Sequence, residues 1–74
     1  EAKSTAVVWE WMDDSGTWNR FPPVHELSIE GAYRLQLDCL SIFISPFSYH
    51  VDVQNNIQRN ARTNKKRSIQ RTKL

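Results

Sequence analysis

The chain has 74 residues, with ten Lys or Arg against eight Asp or Glu, two His and one Cys. That length holds one domain with a marginal core, since a domain of this size buries only about 60% of its unfolded-chain surface. One thiol excludes an intrachain disulfide, two His and one Cys exclude a Cys/His zinc site, and no apolar run approaches the ~20 residues of a membrane span.

The first residue is Glu rather than Met, which fits a segment of a longer protein. No series of basic, apolar and small residues opens the chain, so no signal peptide is expected. A lone thiol suits a reducing interior, and an intracellular setting, nucleus or cytoplasm, is expected. Packing and a hydrogen-bonded sheet must then hold the fold. Three Trp, three Phe and two Tyr help, because each aromatic buries roughly 150–250 Å².

Residues 1–5 read as a disordered lead-in. From Ala6 to Met12 apolar positions are dense, and Val7, Trp9 and Trp11 share one parity, which predicts a strand. Asp13-Asp14-Ser15-Gly16 is a turn, and Thr17–Phe21 is its return strand. Pro22-Pro23 stops the hairpin, because neither proline can donate to a ladder. One short helix fits within 24–36, best from Ile29 onward. Ser28 is its expected N-cap, and Glu30 then lies in the first turn, where the dipole favours an acid. Ile29, Ala32 and Tyr33 give the buried stripe. Gly31 costs about 1 kcal/mol relative to Ala in that helix, and is read as a point of close approach to the sheet.

Asp38–Ser45 is apolar and β-branched enough for a strand, and Pro46 breaks it. Phe47, Tyr49, Val51 and Val53 then alternate with Ser48, His50 and Asp52, the cleanest period-two run in the chain. Asn55-Asn56 is a turn. Ile57–Ala61 and Lys66–Arg71 pair across Arg62-Thr63-Asn64-Lys65, and the last residues, 72–74, are expected to fray as a tail. The result is an α+β domain over residues 6–71, with about six short strands in adjacent hairpins, hence an antiparallel sheet, and one helix.

Charge is lopsided along the chain. Residues 1–58 hold three basic and eight acidic side chains, whereas 59–74 hold seven basic and no acidic ones. This segment reads either as a solvated tail or as an anion site with positive charge where phosphates lie.

No catalytic constellation is legible. A nucleophile needs an adjacent base and an orienting group. Cys39 lies in an apolar run and reads as a small buried hydrophobe. His25 and His50 have no carboxylate at a usable spacing, Asp13 and Asp14 read as solvated turn residues, and two glycines cannot make a phosphate loop. A binding domain without catalytic residues, metal or cofactor is expected. Trp9, Trp18 and Phe47 are read as packing residues. The Tyr49 hydroxyl needs a partner, which at an open sheet end can be a phosphate. Gln58 is either an exposed strand residue or a bidentate amide reading a base edge. Arg67 shares the inward parity of Ile69, and its guanidinium can fork onto a phosphate.

Taken in order, Trp9, Trp18, Glu30 in Ile-Glu-Gly-Ala-Tyr, Phe-Ser-Tyr-His-Val-Asp, then Gln58, Asn60, Thr63, Arg67, Ile69 and Arg71, the chain resembles the WWE domain family over residues 7–71. The resemblance implies a strongly curved antiparallel half-barrel with one packed helix. It implies binding of ADP-ribose units, either iso-ADP-ribose of poly(ADP-ribose) or terminal ADP-ribose, in ubiquitin ligases and ADP-ribosyltransferase-type proteins. The ligand-binding residues it implies are Trp11, Tyr49, Gln58 and Arg67, with Gln58 on adenine and Tyr49 and Arg67 on phosphates and riboses. At Trp11 the iso-ADP-ribose binder aligned to it has a tyrosine; Trp donates only through its indole nitrogen. Poly(ADP-ribose) or an ADP-ribosylated protein is the expected partner. A protein-interaction domain with a vestigial pocket, or an RNA-binding module using the basic segment, are the alternatives. No membrane partner is expected.

Overall fold

The computed structural model describes residues 6–74, so the expected lead-in lies outside the described residues. Strands β1 (Val7–Met12), β2 (Trp18–Arg20), β3 (Cys39–Ile44), β4 (Phe47–Asp52), β5 (Ile57–Asn60) and β6 (Lys66–Lys73) and helix α1 (Pro23–Arg34) make up the chain. All pairings are antiparallel, and the strand order is β2-β1-β6-β5-β4-β3. The sheet curls into a half-barrel over the helix, as the α+β reading expects. No described helix is long and apolar enough to cross a membrane.

The two halves of the sheet meet on β6. Its first residues pair with β5, Lys66 with Arg59 and Arg67 with Gln58. Its later residues pair with β1, Ile69 with Trp11 through Lys73 with Val7. One strand thus joins the β1–β2 hairpin to the β3–β4–β5 meander. The strand continues past Arg71: Thr72 and Lys73 sit opposite Val8 and Val7, and Leu74 N–H donates to Ala6 O at 2.9 Å.

Trp9, Phe21, Ile29, Ala32, Ile42, Val51, Val53 and Ile69 form the core, with Trp9 fully buried. Two expected packing residues lie elsewhere. Trp18 is half-buried on the short marginal strand β2, and Phe47 is half-buried on the concave face, outside the core. Cys39 is exposed rather than buried, because Leu40 and Ile42 take the inward parity of β3.

The helix begins six residues earlier than expected. Pro23 occupies its first turn, where a missing N–H costs nothing and φ is already helical. Pro22 is the N-cap, and its carbonyl accepts from His25 and Glu26 N–H. Ser28 is therefore interior, its Oγ donating to Val24 O at 3.2 Å, and Glu26 rather than Glu30 is the acid of the first turn. Gly31 makes no close approach, since a Cβ there would meet nothing within 4 Å. Tyr33 is 42% exposed, and only Ile29 and Ala32 of the expected stripe are buried. Gln36, at φ 58°, ends the helix in a Schellman arrangement: Leu37 N–H donates to Ala32 O and Gln36 N–H to Tyr33 O.

Two carboxylates one turn apart fasten this helix to β1. Glu26 Oε2 accepts from Trp9 backbone N–H at 2.9 Å, and Glu30 Oε1 from Trp9 Nε1 at 2.8 Å. Arg20 binds Glu26, while Arg71 binds Glu30 through Nε and Nη2 and Arg34 adds a hydrogen bond at 2.7 Å. Arg71, then Arg34 and the Trp9 indole, hold the Glu30 carboxyl at about 2, against the opposing effect of burial.

Candidate ligand cleft on the concave face

Strand alternation sends Tyr49 of β4, Gln58 of β5, Arg67 of β6 and Trp11 of β1 to the concave face. The four residues predicted as a site converge there. Together with Arg20, Pro22 and Ile44 they line a cleft of about 320 Å³. An adjoining recess of about 260 Å³ shares Tyr49, Gln58 and Arg67, and adds Phe47, Asn60, Thr63 and Lys65.

Walls and floor differ in chemistry. The Phe47 and Tyr49 rings meet edge to face, with centroids 6.3 Å apart. The Arg67 guanidinium carbon lies 5.7 Å from the Trp11 ring centroid, within cation–π range. Gln58 sits on the central strand β5, between Val51 on β4 and Arg67 on β6. Its side chain is only 5% exposed, so the exposed-residue reading is wrong. Gln58 Oε1 is buried and accepts no hydrogen bond.

Positive charge gathers at one end, and a carboxylate already meets it. Asp14, on the β1–β2 turn, accepts at Oδ1 from Lys65 Nζ at 2.7 Å and from Arg67 Nη1 at 2.8 Å. Lys65 and then Arg67 hold the Asp14 carboxyl below the usual range. Asp14 is therefore an ion-pair partner across the cleft rim rather than a free solvated acid. Neighbouring Asp13 is structural. It accepts from Ser15 N–H, Ser15 Oγ, Thr17 N–H and Asn19 Nδ2, which orders the turn that carries Asp14. At the other side, Arg20 is held by Glu26 at 2.8 Å.

Sequence reasoning gave Arg20 and Phe47 no place in the cleft, and gave Lys65 one only as a member of the basic 59–74 segment. Phe47 was legible, since it shares the parity of Tyr49. Lys65 and Arg20 were not, because their positions depend on how the hairpin folds against β6. Among the described residues no group of three His, Cys, Asp or Glu side chains could hold a metal ion. The arrangement can take a flat ring between aromatic walls, bond its edge at Gln58 and set an anion against Arg67 and Lys65.

The family model of the WWE domain matches residues 7–71. E3 ubiquitin-protein ligase DTX4 of Mus musculus is 31% identical over 70 residues, covering 95% of this chain and 11% of that protein. E3 ubiquitin-protein ligase DTX1 of Xenopus laevis is 30% identical over 70 residues, with the same coverage. The chain thus spans about a ninth of the length of these relatives.

Proposed function

This chain belongs to the WWE domain family, a family of binding modules carried by ubiquitin ligases, and from that premise we propose that its concave cleft binds ADP-ribose units. The unit is iso-ADP-ribose within poly(ADP-ribose), or a terminal ADP-ribose. One observation supports this above the rest: the unpartnered Oε1 of Gln58 at the buried floor of the cleft. A buried acceptor without a donor costs about 1–3 kcal/mol. Adenine presents an amino donor beside a ring-nitrogen acceptor, the pattern that a Gln amide meets with two bonds. Trp11 and Tyr49 offer ring faces, and stacking is worth about 1–3 kcal/mol per base in single-strand binders. Arg67 supplies a charge-assisted bond to phosphate, worth roughly 1.5–3 kcal/mol. Their sum, at most about 9 kcal/mol, less an association cost of at least ~4 kcal/mol, leaves about 5 kcal/mol, a dissociation constant in the sub-millimolar range.

In a ligase of the kind its relatives are named for, such a domain would bring ADP-ribosylated protein to the ubiquitination machinery. Calorimetry with iso-ADP-ribose, ADP-ribose and AMP tests the reading. Saturable binding of an ADP-ribose ligand, weakened by Gln58→Ala and by Arg67→Ala in folded protein, is the expected result. No heat from any of the three at millimolar ligand would refute it.

A further inference from the structure

The same sheet carries a second recess on its convex face. It measures about 320 Å³ and is lined by Cys39, His50, Asp52, Ile57, Arg59 and Lys66. Because successive strand residues point to opposite faces, none of these side chains serves the concave cleft. The register sets Ser41 opposite His50, His50 opposite Arg59, and Arg59 opposite Lys66. Side chains carrying a hydroxyl, an imidazole, a guanidinium and an ammonium therefore start from one row across four strands, with Cβ atoms about 5 Å from one to the next. Ser41 Oγ and His50 Nδ1 are joined at 3.2 Å.

This row holds uncompensated positive charge. Lys65, Arg67 and Arg71 of the basic segment are paired with Asp14 or Glu30. Arg59 and Lys66 meet no carboxylate within ion-pair distance among the described residues, and Arg59 donates only to Asn64 Oδ1 at 2.8 Å. Asp52 is the one acid in the recess, and its two oxygens already accept from Gln54 N–H, Asn55 N–H and Asn55 Nδ2. Beside the row, Phe43 is 59% exposed. Its neighbours Ile42 and Ile44 take the inward parity, so its ring lies on the convex face, two residues along β3 from Ser41.

We propose that this convex row binds a single-stranded nucleic acid, with backbone phosphates on Arg59 and Lys66 and a base stacked on Phe43. Arg59 and Lys66 lie two and three strands across from Phe43, about 10–15 Å away, so a strand laid across this face meets cations and an exposed ring, the two elements a single strand uses. An acidic peptide would use the cations and leave the ring without a flat partner. RNA and DNA share this chemistry, and both belong in the test. The site is independent of the ADP-ribose reading, since the two sites share no residue.

The test is fluorescence anisotropy of a labelled twelve-residue oligouridylate, and of oligothymidylate, over a salt series. Arg59→Ala with Lys66→Ala is expected to weaken binding at least tenfold. It should also lower the log–log salt slope by about 0.7 for each phosphate that is no longer neutralised. Phe43→Ala is expected to weaken binding severalfold without changing that slope. Lys66→Glu, a change at an exposed side chain, should weaken binding in protein whose fold is undisturbed. Arg67→Ala and saturating iso-ADP-ribose should leave binding unaltered. The proposal is overturned by absence of saturable binding at low salt, by loss of binding in Arg67→Ala, or by displacement with iso-ADP-ribose. A stronger preference for poly(ADP-ribose) through the same convex residues would also overturn it.

Discussion

At the scale of single residues, two side chains hold the cleft in a state that a ligand would relieve. Gln58 keeps a buried acceptor unpaired. Replacing a polar group that lacks its partner by an apolar one of similar size is neutral or stabilising. Gln58→Leu is therefore expected to raise the melting temperature by a few degrees while reducing ADP-ribose affinity at least tenfold. Thermal unfolding and calorimetry on one preparation check both; a lower melting temperature would mean that the amide serves the fold. Asp14 is the second case. It is 70% exposed at its side chain, so its ion pairs contribute little to stability, about 0–1 kcal/mol each. Yet it occupies the guanidinium face that a phosphate would need. Asp14→Asn is expected to leave stability nearly unchanged and to tighten binding of AMP or ADP-ribose severalfold, with adenosine unaffected. Weaker binding of the phosphate ligands would show that Asp14 instead orients Arg67 for them.

At the scale of elements, the helix shows what local pattern conceals. Its stripe was visible in Ile29 and Ala32, but its start was not, because Pro22-Pro23 has two physical readings. Prolines end a strand, and the same ring suits the first turn of a helix. The Ser28 side chain looks like a cap only if the helix starts after it. Strand parity was far more legible: the alternation of β4 alone placed Tyr49 on the cleft side and His50 opposite. What parity could not show was the partner of Asp14, 51 residues away at Lys65. The attachment of α1 to β1 carries its own prediction. Glu30 sits at about 2, depressed from 4.5, so its contribution is fully present above pH 4.5 and is lost as pH falls toward 2. A shift of that size corresponds to on the order of 3 kcal/mol. Glu30→Gln is expected to destabilise the domain at neutral pH and to flatten the fall in stability between pH 4.5 and 2. Urea denaturation across that range measures it; an unchanged slope would place the acid sensitivity elsewhere, with Glu26 next in line.

At the scale of the whole molecule, first and last strands are neighbours. Hairpin reasoning finds β1 with β2, β3 with β4 and β5 with β6, since each pair is joined by a short turn. It cannot find β1 with β6, where Glu10 and its partner Gln70 lie 60 residues apart and meet only because the half-barrel closes. That pairing is also why the cleft exists: it sets Trp11 of β1 beside Arg67 of β6, and neither hairpin alone contains both. It also gives the end of the chain a structural role. Thr72 and Lys73 pair with Val8 and Val7, and Leu74 reaches Ala6. Residues expected to fray instead complete the ladder beside the buried Trp9. Deleting Thr72, Lys73 and Leu74 removes about three backbone hydrogen bonds, at ~1 kcal/mol each or less, together with the cover they give Val8. For a domain of this size 1 kcal/mol moves the melting temperature by roughly 4–8 °C. The truncated domain should therefore melt about 10 °C lower, yet bind its cleft ligand equally well at a temperature where it is folded. The deletion lies at the end of β6 remote from Arg67, so stability and affinity should part company. Loss of affinity in the folded truncated protein would mean that the closing pair also shapes the cleft, and an unchanged melting temperature would mean that the last three residues fray after all.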